Sequence, residues 1–235
     1  MPKFFVTTDI HGFYSEFISA LYKAGFSQCN EDHWLVVCGD YFDRGKEPKE
    51  LLDFLNSLPR KILVRGNHEN LILNCIERGF PYTHDISNGT WGTIRTLGKS
   101  TAITNYSSCC LAAAVKLVPF IEQTINYFET QNHIFVHGWI PTIPNWREAH
   151  QSTWDEAMWL NGMKEAFAGH LADKTVVCGH WHSSYGHSRV GNGPEHGEGA
   201  VFDPYYNNGI IALDACTAYS KQVNVIVIED DFLEE

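Results

Sequence analysis

Two carboxylates and one guanidinium follow an apolar stretch near the start of the chain. Residues 34–38 predict a buried strand, Gly39 lets the backbone turn, and Asp40, Asp43 and Arg44 come next. A carboxylate just past a buried strand is costly unless it faces a cation or a hydrogen-bond donor. Ligands of open α/β sheets bind at the carboxyl ends of strands. The stretch therefore predicts a metal and anion site, and the alternative is a surface turn with a local Asp–Arg pair.

Other predicted strands end in polar residues of the same kind. Asp9 and His11 follow a predicted strand over 3–8 and point the same way on an extended segment, because they are two residues apart. The full set of candidate metal ligands is Asp9, His11, Asp40, Asn67, His137 and His180, with His182 as an open candidate. All donate oxygen or nitrogen, which favours Mn, Fe or Zn and weighs against a structural zinc–thiolate site.

These residues need strands that end at one edge. From residue 3 to about residue 76, apolar strands alternate with helical patterns, which predicts a βαβαβ unit with right-handed crossovers and its polar ends along one edge. Ser15 predicts the N-cap of the first helix, and Pro48 predicts the first residue of the second. Later strands are predicted over 125–129, 134–137, 175–178, 210–213 and 223–228.

The remaining segments predict helices and loops. Residues 80–130 carry no obvious chemistry and are expected to form a helical cap over the site, with a helix over 107–118 that Pro119 ends. Thr153 begins a capping-box pattern before a helix to about residue 168. A loop rich in Gly and His covers 186–199 and is either a substrate lip or a solvated surface. With no repeat and no linker, we expect one domain over 1–235.

Composition restricts the possible partners. With 17 Lys and Arg against 28 Asp and Glu, the net charge of −11 argues against general nucleic-acid binding. No apolar run approaches the roughly 20 residues that cross a bilayer, and we expect neither a membrane segment nor a signal peptide. The seven cysteines lack CxxC spacing, so we expect reduced thiols and a cytoplasmic protein. The sequence leaves the oligomeric state open.

Five motifs carry a resemblance to a known family. They are DIHG (9–12), GDYFDRG (39–45), RGNHE (65–69), HGW (137–139) and GHWH (179–182). In this order and spacing they resemble the calcineurin-like metallophosphoesterase superfamily, and DRG with GNHE resembles bacterial and phage members of its phosphoprotein phosphatase family. The resemblance covers residue 3 to about residue 230. It implies an α/β fold (α+β in some schemes) with a central β-sandwich flanked by helices and an active site at the carboxyl ends of strands.

The resemblance also implies a dinuclear metal centre. Its first ion would be held by Asp9, His11 and Asp40, and its second by Asp40, Asn67, His137 and His180. We expect two divalent ions, Mn²⁺ first, with Fe or Zn as alternatives. Two ions about 3.5–4 Å apart can share a hydroxide, lower its pKa and stabilise charge during in-line attack at phosphorus.

Three further residues would complete the catalytic set. The resemblance implies that His68 is the general acid for the leaving group, that Asp43 orients it, and that Arg44 clamps the phosphoryl oxygens. An alkoxide leaves poorly unless it receives a proton, which His68 could supply. A neighbouring carboxylate such as Asp43 raises the pKa of a histidine. The guanidinium of Arg44 can donate two hydrogen bonds to phosphate oxygens.

The chain departs from the phosphoprotein phosphatase pattern in its phosphate-binding arginines. Strong protein phosphatases of this family place a second arginine in a Trp-x-Arg segment, whereas residues 158–162 here read MWLNG. Arg189, Arg147 and Arg95 are possible substitutes, with Arg189 first.

Two further features bear on the metal site and the substrate pocket. The GHxH pattern of 179–182 is that of the wider superfamily, in which the second His binds the first metal, so it makes His182 a candidate ligand. Trp139 and Trp181 follow ligand motifs and could line a pocket for an aromatic or nucleoside group.

Three functions remain open at this point. The first is a metal-dependent phosphomonoesterase of the protein Ser/Thr phosphatase type. The second is a nucleotide phosphohydrolase resembling diadenosine tetraphosphatases, or a phosphodiesterase. The third is a non-catalytic, metal-dependent binding module. The substrate is accordingly a phosphoprotein or a nucleotide.

Overall fold

The computed structural model describes residues 1–99 and 105–233. The strands of the described residues are β1 Lys3–Thr7, β2 His33–Cys38, β3 Lys61–Val64, β4 Phe128–Glu129, β5 His133–Phe135, β6 Thr175–Cys178, β7 Tyr205–Asn207, β8 Ile210–Ala212 and β9 Ile226–Glu229. The helices are α1 Tyr14–Lys23, α2 Pro48–Ser57, α3 Asn67–Arg78, α4 Thr83–Ser87, α5 Thr90–Leu97, α6 Tyr106–Glu122, α7 Gln151–Ala157, α8 Gly162–Phe167, α9 Ser184–Arg189 and α10 Thr217–Ser220.

The strands form two mixed sheets. The first has the order β3-β2-β1-β9, with β1, β2 and β3 parallel and β9 antiparallel to β1. The second has the order β4-β5-β6-β8-β7, in which β5, β6 and β8 are parallel and both edge strands are antiparallel to their neighbours. The predicted β-α-β-α-β succession at the start of the chain is therefore present.

The two sheets pack against each other through alternate residues of their strands. Phe4 and Val36 of the first sheet share a buried cluster with Phe135 and Val177 of the second. Side chains on the opposite face of the first sheet, such as Phe5, pack instead against helices α1, α2, α3, α5 and α6. Because strand side chains alternate between faces, one set of strands supports both the inner core and a helical layer.

A second helical layer covers the other sheet. Trp154 and Met163 of α7 and α8 lie in one cluster with Ile134 and Val176. The result is two sheets flanked by helices, as the predicted fold class requires. That chain 1–235 is one domain stays a prediction. Among residues 1–99 and 105–233, no helix has the length and apolar character needed to cross a lipid bilayer.

Several local predictions were wrong for reasons of tertiary contact. Helix α1 begins at Tyr14 with Phe13 as its N-cap, because the backbone and hydroxyl of Ser15 bond to the Glu47 carboxylate instead. Helix α6 continues past Pro119 to Glu122. An interior proline costs about 3 kcal/mol, and burial of the neighbouring Phe120 side chain offsets it.

The helix predicted from Thr153 to about residue 168 is two helices. Neither helix begins with the predicted capping box. The side chain of His150 accepts from the backbone of Ser152 at the start of α7, and that of Asn161 accepts from the backbone of Lys164 at the start of α8. Strand β7 was not predicted.

One buried carboxylate ties the two sheets together. Asp230, just past β9, accepts hydrogen bonds from Thr130 Oγ1 (2.7 Å), the Asn132 backbone (3.0 Å) and side chain (2.8 Å), and His133 Nδ1 (2.7 Å). Burial opposes ionisation, but these donors outweigh it and hold the pKa of Asp230 well below its usual range. The ionised form therefore stabilises the contact between β9 and the β4–β5 hairpin.

Asp230→Asn should lower the free energy of unfolding by about 2–3 kcal/mol at neutral pH, because charge-assisted hydrogen bonds are lost. A carboxyl group whose pKa is lowered by folding stabilises the protein above its unfolded pKa of about 3.9. The difference from wild type should therefore shrink as pH falls through the folded pKa. Urea unfolding at several pH values measures this. The exposed neighbour substitution Asp231→Asn is the control, and an equal effect of both would contradict the prediction.

Candidate metal centre

The predicted residues meet where the strands of both sheets end. Asp9, His11, Asp40, Asp43 and Arg44 all have φ between 49° and 72°, a conformation unusual for residues with a side chain. Such strain costs on the order of 1 kcal/mol per residue and persists only where surrounding contacts enforce it. The loops after β1 and β2 are thus held in tight, strained turns that aim polar side chains at one place.

Asp40 lies at the centre of this place. Its Oδ1 is 3.3 Å from His137 Nε2, and its Oδ2 is 3.6 Å from His11 Nε2. The backbone of His68 donates to Oδ1 at 3.0 Å. Burial opposes ionisation of Asp40, but the surrounding histidines, His137 foremost, hold its pKa below the usual range. Asp40 therefore joins ligands from the first sheet to ligands from the second.

The histidines beside Asp40 make the hydrogen bonds that are typical of metal-binding histidines. Their Nδ1 atoms donate to backbone carbonyls, His11 to Phe42 at 2.9 Å and His137 to Cys38 at 2.8 Å. Burial lowers the pKa of both rings, so each Nε2 presents a lone pair. Those lone pairs face the oxygens of Asp40, a repulsive contact unless a cation lies between. The donor set therefore fits divalent metal ions.

The other predicted ligands extend the set on both sides. Asp9 Oδ2 accepts from the backbone of His180 at 2.9 Å, and Asn67 Oδ1 lies 2.8 Å from His137 Nε2. Burial, Asp214 and Asp40 together raise the pKa of Asp9, and burial lowers the pKa of His180 to about 4. Two groups of potential ligand atoms share Asp40: one has His11 and His68, the other has His137 and His180.

His68 is held between a carboxylate and a guanidinium. Its Nδ1 lies 2.7 Å from Asp43 Oδ2, and its Nε2 lies 3.3 Å from Arg44 Nη2. Burial works against protonation, but Asp40 and Asp43 together raise the pKa of His68. The hydroxyls of Thr90 and Thr93 donate hydrogen bonds to the Asp43 carboxylate at 2.6 Å and 2.9 Å. The sequence did not indicate these two contacts.

Glu69 holds two of the site's loops and was not assigned a role from sequence. Its carboxylate accepts from the backbone of Asp40 (2.9 Å), Tyr41 (3.1 Å) and Gly66 (2.9 Å). A Cβ on Gly66 would lie 2.3 Å from Asp40 Oδ1, so only glycine permits this approach. Burial, with Asp40 beside it, raises the pKa of Glu69 to about 8, the electrostatic cost of this position.

Asp214 is a second buried carboxylate that sequence reasoning missed. It lies near Asp9, and burial raises its pKa to about 6. It directly follows the predicted strand over 210–213, so the signal that identified the other strand-end residues would have found it.

A cavity of about 150 Å³ opens on this cluster. The predicted residues that line it are Asp9, Asp40, Arg44, Asn67, His68 and His180. Three unpredicted residues, Leu71, Asn88 and Trp159, complete the wall. Trp159 is 52% exposed, and its ring meets that of His180 edge-on with centroids 5.7 Å apart. A small anion would thus lie among metal ligands, one arginine and one exposed indole.

Several predicted substrate-binding residues lie elsewhere. Trp139 is buried, donates its indole N–H to the His170 carbonyl at 3.2 Å and lines a separate cavity of about 210 Å³. Trp181 stacks on His182 and does not line the cavity of about 150 Å³ beside Asp40. The nitrogens of His182 face Ser184 and Glu195 rather than the other predicted ligands.

The possible second arginines also lie outside the cavity. Arg147 pairs with Glu129 and Asp173 at 2.7–2.9 Å, and the exposed Arg189 lies over the Tyr185 ring at 4.8 Å. Arg95 of α5 does not line it either. Among the described residues, Arg44 is the one arginine on the cavity wall. None of the three predicted substitutes for a second phosphate-binding arginine therefore lines this cavity.

Comparison with known proteins agrees with this geometry. The model of the calcineurin-like phosphoesterase family matches residues 2–196, so the chain belongs to that family. The family and the fold class predicted from the motifs are confirmed.

Individual relatives cover less of the chain. Serine/threonine-protein phosphatase 2 of Salmonella typhimurium is 38% identical over 86 residues, which are 37% of this chain and 38% of that protein. The symmetrical bis(5'-nucleosyl)-tetraphosphatase of Wigglesworthia glossinidia brevipalpis is 43% identical over 67 residues, 28% of this chain and 24% of that protein. The chain thus spans well under half the length of these curated relatives.

A solved structure matches over a much larger part of the chain. The cold-active protein-tyrosine phosphatase of a psychrophilic Shewanella species has a TM-score of 0.58 at 16% identity. The match covers 97% of this chain and 76% of that one. At this identity the likeness concerns the fold alone.

Glu69→Gln should weaken metal binding about 10–100-fold, the usual effect of removing a group that orients ligands. The amide would offer one oxygen to three backbone donors and turn an N–H toward at least one of them. Titration with Mn²⁺ measures the affinity, and circular dichroism checks the fold. Glu77→Gln on the exposed side of the same helix is the control. Wild-type affinity in Glu69→Gln would rule out this role.

Proposed function

We propose that this chain is a dinuclear-metal-dependent phosphomonoesterase of the protein Ser/Thr phosphatase type. The observation that carries the proposal is the contact of His68 with both Asp43 (2.7 Å) and Arg44 (3.3 Å) beside the ligand cluster. A metal-binding module needs no leaving-group acid, so this arrangement favours catalysis over binding alone. The similarity to serine/threonine-protein phosphatase 2 supports the same class of substrate.

The metal ions would be held as the donor geometry suggests. Asp9, His11 and Asp40 would hold one ion, and Asp40, Asn67, His137 and His180 the other. When bound, the ions supply positive charge for the phosphoryl oxygens and acidify water. Mixed carboxylate, amide and imidazole ligands suit Mn²⁺ first, with Fe or Zn as alternatives.

The chain's own residues would do the rest. Arg44, exposed at the cavity rim, would donate to the phosphoryl oxygens and hold the substrate in line. His68 would transfer its Nε2 proton to the departing oxygen, while Asp43 keeps the ring oriented through Nδ1. Thr90 and Thr93 hold Asp43 and thereby the ring.

Substitution of His68 separates acid catalysis from metal binding. His68→Asn should keep its bound metal yet lose about 10²–10⁴-fold in rate on a phosphoserine peptide, because the serine alkoxide leaves poorly without a proton. The loss should be much smaller on p-nitrophenyl phosphate, since p-nitrophenolate leaves readily unprotonated. Rates with Mn²⁺ and elemental analysis of bound metal measure both effects.

Two further variants complete this experiment. Asp40→Asn should lose metal and activity on both substrates. His170→Asn, which changes an exposed histidine paired with Glu165, should behave as wild type. Wild-type inactivity with every divalent metal tried would refute the proposed function.

A nucleotide phosphohydrolase is the second candidate, because Trp159 offers an exposed indole at the cavity wall. An aromatic side chain can stack on a base, and one relative is a bis(5'-nucleosyl)-tetraphosphatase. Stacking is worth about 1–3 kcal/mol per base.

If nucleotides are the substrates, Trp159→Ala should raise KM for diadenosine tetraphosphate by roughly 5–150-fold, the range that this stacking energy implies. KM for a phosphoserine peptide should stay unchanged. Trp181→Ala, at an exposed indole outside the cavity, is the control. Equal effects of Trp159→Ala on both substrates, or a wild-type enzyme that is faster on the phosphopeptide, would exclude a nucleotide phosphohydrolase.

A further inference from the structure

A third group of histidine and glutamate side chains lies apart from the candidate metal centre. His182 follows β6, whereas Glu195 and His196 lie in the loop after α9. His196 Nε2 is 3.4 Å from Glu195 Oε1, and His182 Nε2 is 4.0 Å from the same oxygen. One ligand atom from each residue lies within 4.8 Å of the other two. Two segments thus direct three potential ligands at one point.

A buried serine determines which nitrogen of His182 faces that point. The hydroxyl of Ser184 donates to the Glu195 carbonyl at 2.7 Å, and its oxygen lies 2.7 Å from His182 Nδ1. Because a hydroxyl has a single proton, this oxygen accepts from Nδ1–H. The Nε2 of the neutral ring therefore carries the lone pair toward Glu195 and His196. Metal-binding histidines are usually held through their second nitrogen in this way.

We propose that His182, Glu195 and His196 bind a zinc ion separate from the metal pair at Asp40. Two imidazoles and one carboxylate are a common zinc donor set, with water as the fourth ligand. Zinc bonds of about 2.0–2.1 Å at tetrahedral angles place ligand atoms roughly 3.3–3.5 Å apart. The 3.4 Å contact meets this spacing. The 4.0 Å contact needs a small approach, which the partly exposed Glu195 side chain allows.

Zinc at this point would fix the loop over 190–199 to the segment that follows His180. That loop contains four glycines with positive φ, so its backbone adopts conformations that disfavour other residues. The described contacts of the loop with His182 and Ser184 are a hydrogen bond from Ser184 to the Glu195 carbonyl, the approach of His182 to the Glu195 carboxylate, and contact between the His182 and His196 rings. A metal bridge would therefore stabilise the loop more than these contacts do alone.

Counting zinc ions tests the proposal. Zinc titration of the full chain against a chromophoric chelator should show one more site in wild type than in His196→Ala or Glu195→Gln. Both side chains are partly or largely exposed, at 75% for His196 and 30% for Glu195, so these variants should fold. His170→Ala is the matched control, because it removes an exposed histidine that lies 2.7 Å from a glutamate but belongs to no group of three ligands among the described residues.

Two further measurements locate the site. Co²⁺ in place of zinc should give the visible absorption of a tetrahedral ion in wild type, and His196→Ala should lack that component. His182→Ala should lose the same single ion, while activity of His196→Ala with Mn²⁺ should stay at the wild-type level. Equal zinc counts in wild type and His196→Ala would overturn the proposal. Since only the difference in count matters, this outcome is independent of whether the chain hydrolyses phosphate esters.

Discussion

The burial of several carboxylates at the shared edge of two sheets is the constraint on which this structure depends. Asp9, Asp40, Glu69 and Asp214 all lie there with little or no solvent contact. Removing a carboxylate from water costs several kcal/mol even after relaxation, and like charges add to the cost. Glu69 is stabilised by three backbone donors, whereas Asp9 and Asp40 face histidine lone pairs. Divalent cations are the simplest means of balancing this charge.

The sandwich exists, in functional terms, to bring two sets of loops together. Asp9, Asp40 and Asn67 follow strands of the first sheet, whereas His137 and His180 follow strands of the second. Hydrogen bonds cross between the sets, from His137 to the Cys38 carbonyl and from the backbone of His180 to Asp9. Packing of the sheets and assembly of the site therefore depend on each other.

The wall of the cavity combines one arginine with one exposed indole. One arginine, Arg44, faces the cavity. The segment over 158–162, in which the family pattern predicts a second arginine, contributes Trp159 to the wall and contains no arginine. Under the proposed function, a single guanidinium would hold a phosphoryl group less firmly than two, so neighbouring surfaces would contribute more to substrate binding. An exposed indole contributes by stacking and apolar contact rather than by charge. Under the proposed function, the choice between peptide and nucleotide substrates would depend on these few side chains.

The sequence by itself determined which oxygen and nitrogen donors follow the strands, and the order of the first three strands and helices. Strand ends marked by Asp9, Asp40, Asn67, His137 and His180 were readable because apolar runs, glycines and polar ligands recur in a fixed local pattern. The parallel arrangement of β1, β2 and β3 followed from the alternation of strands and helices.

Only the tertiary structure decided which candidates meet. Trp139 and Trp181 follow ligand motifs, but neither lines the cavity, because side-chain direction depends on packing rather than on sequence proximity. His182 lies two residues beyond His180 yet faces Ser184 and Glu195 instead of Asp40, since the backbone turns after β6. Glu69, Thr90 and Thr93 support the site through contacts distant in sequence, and no local pattern marks such contacts.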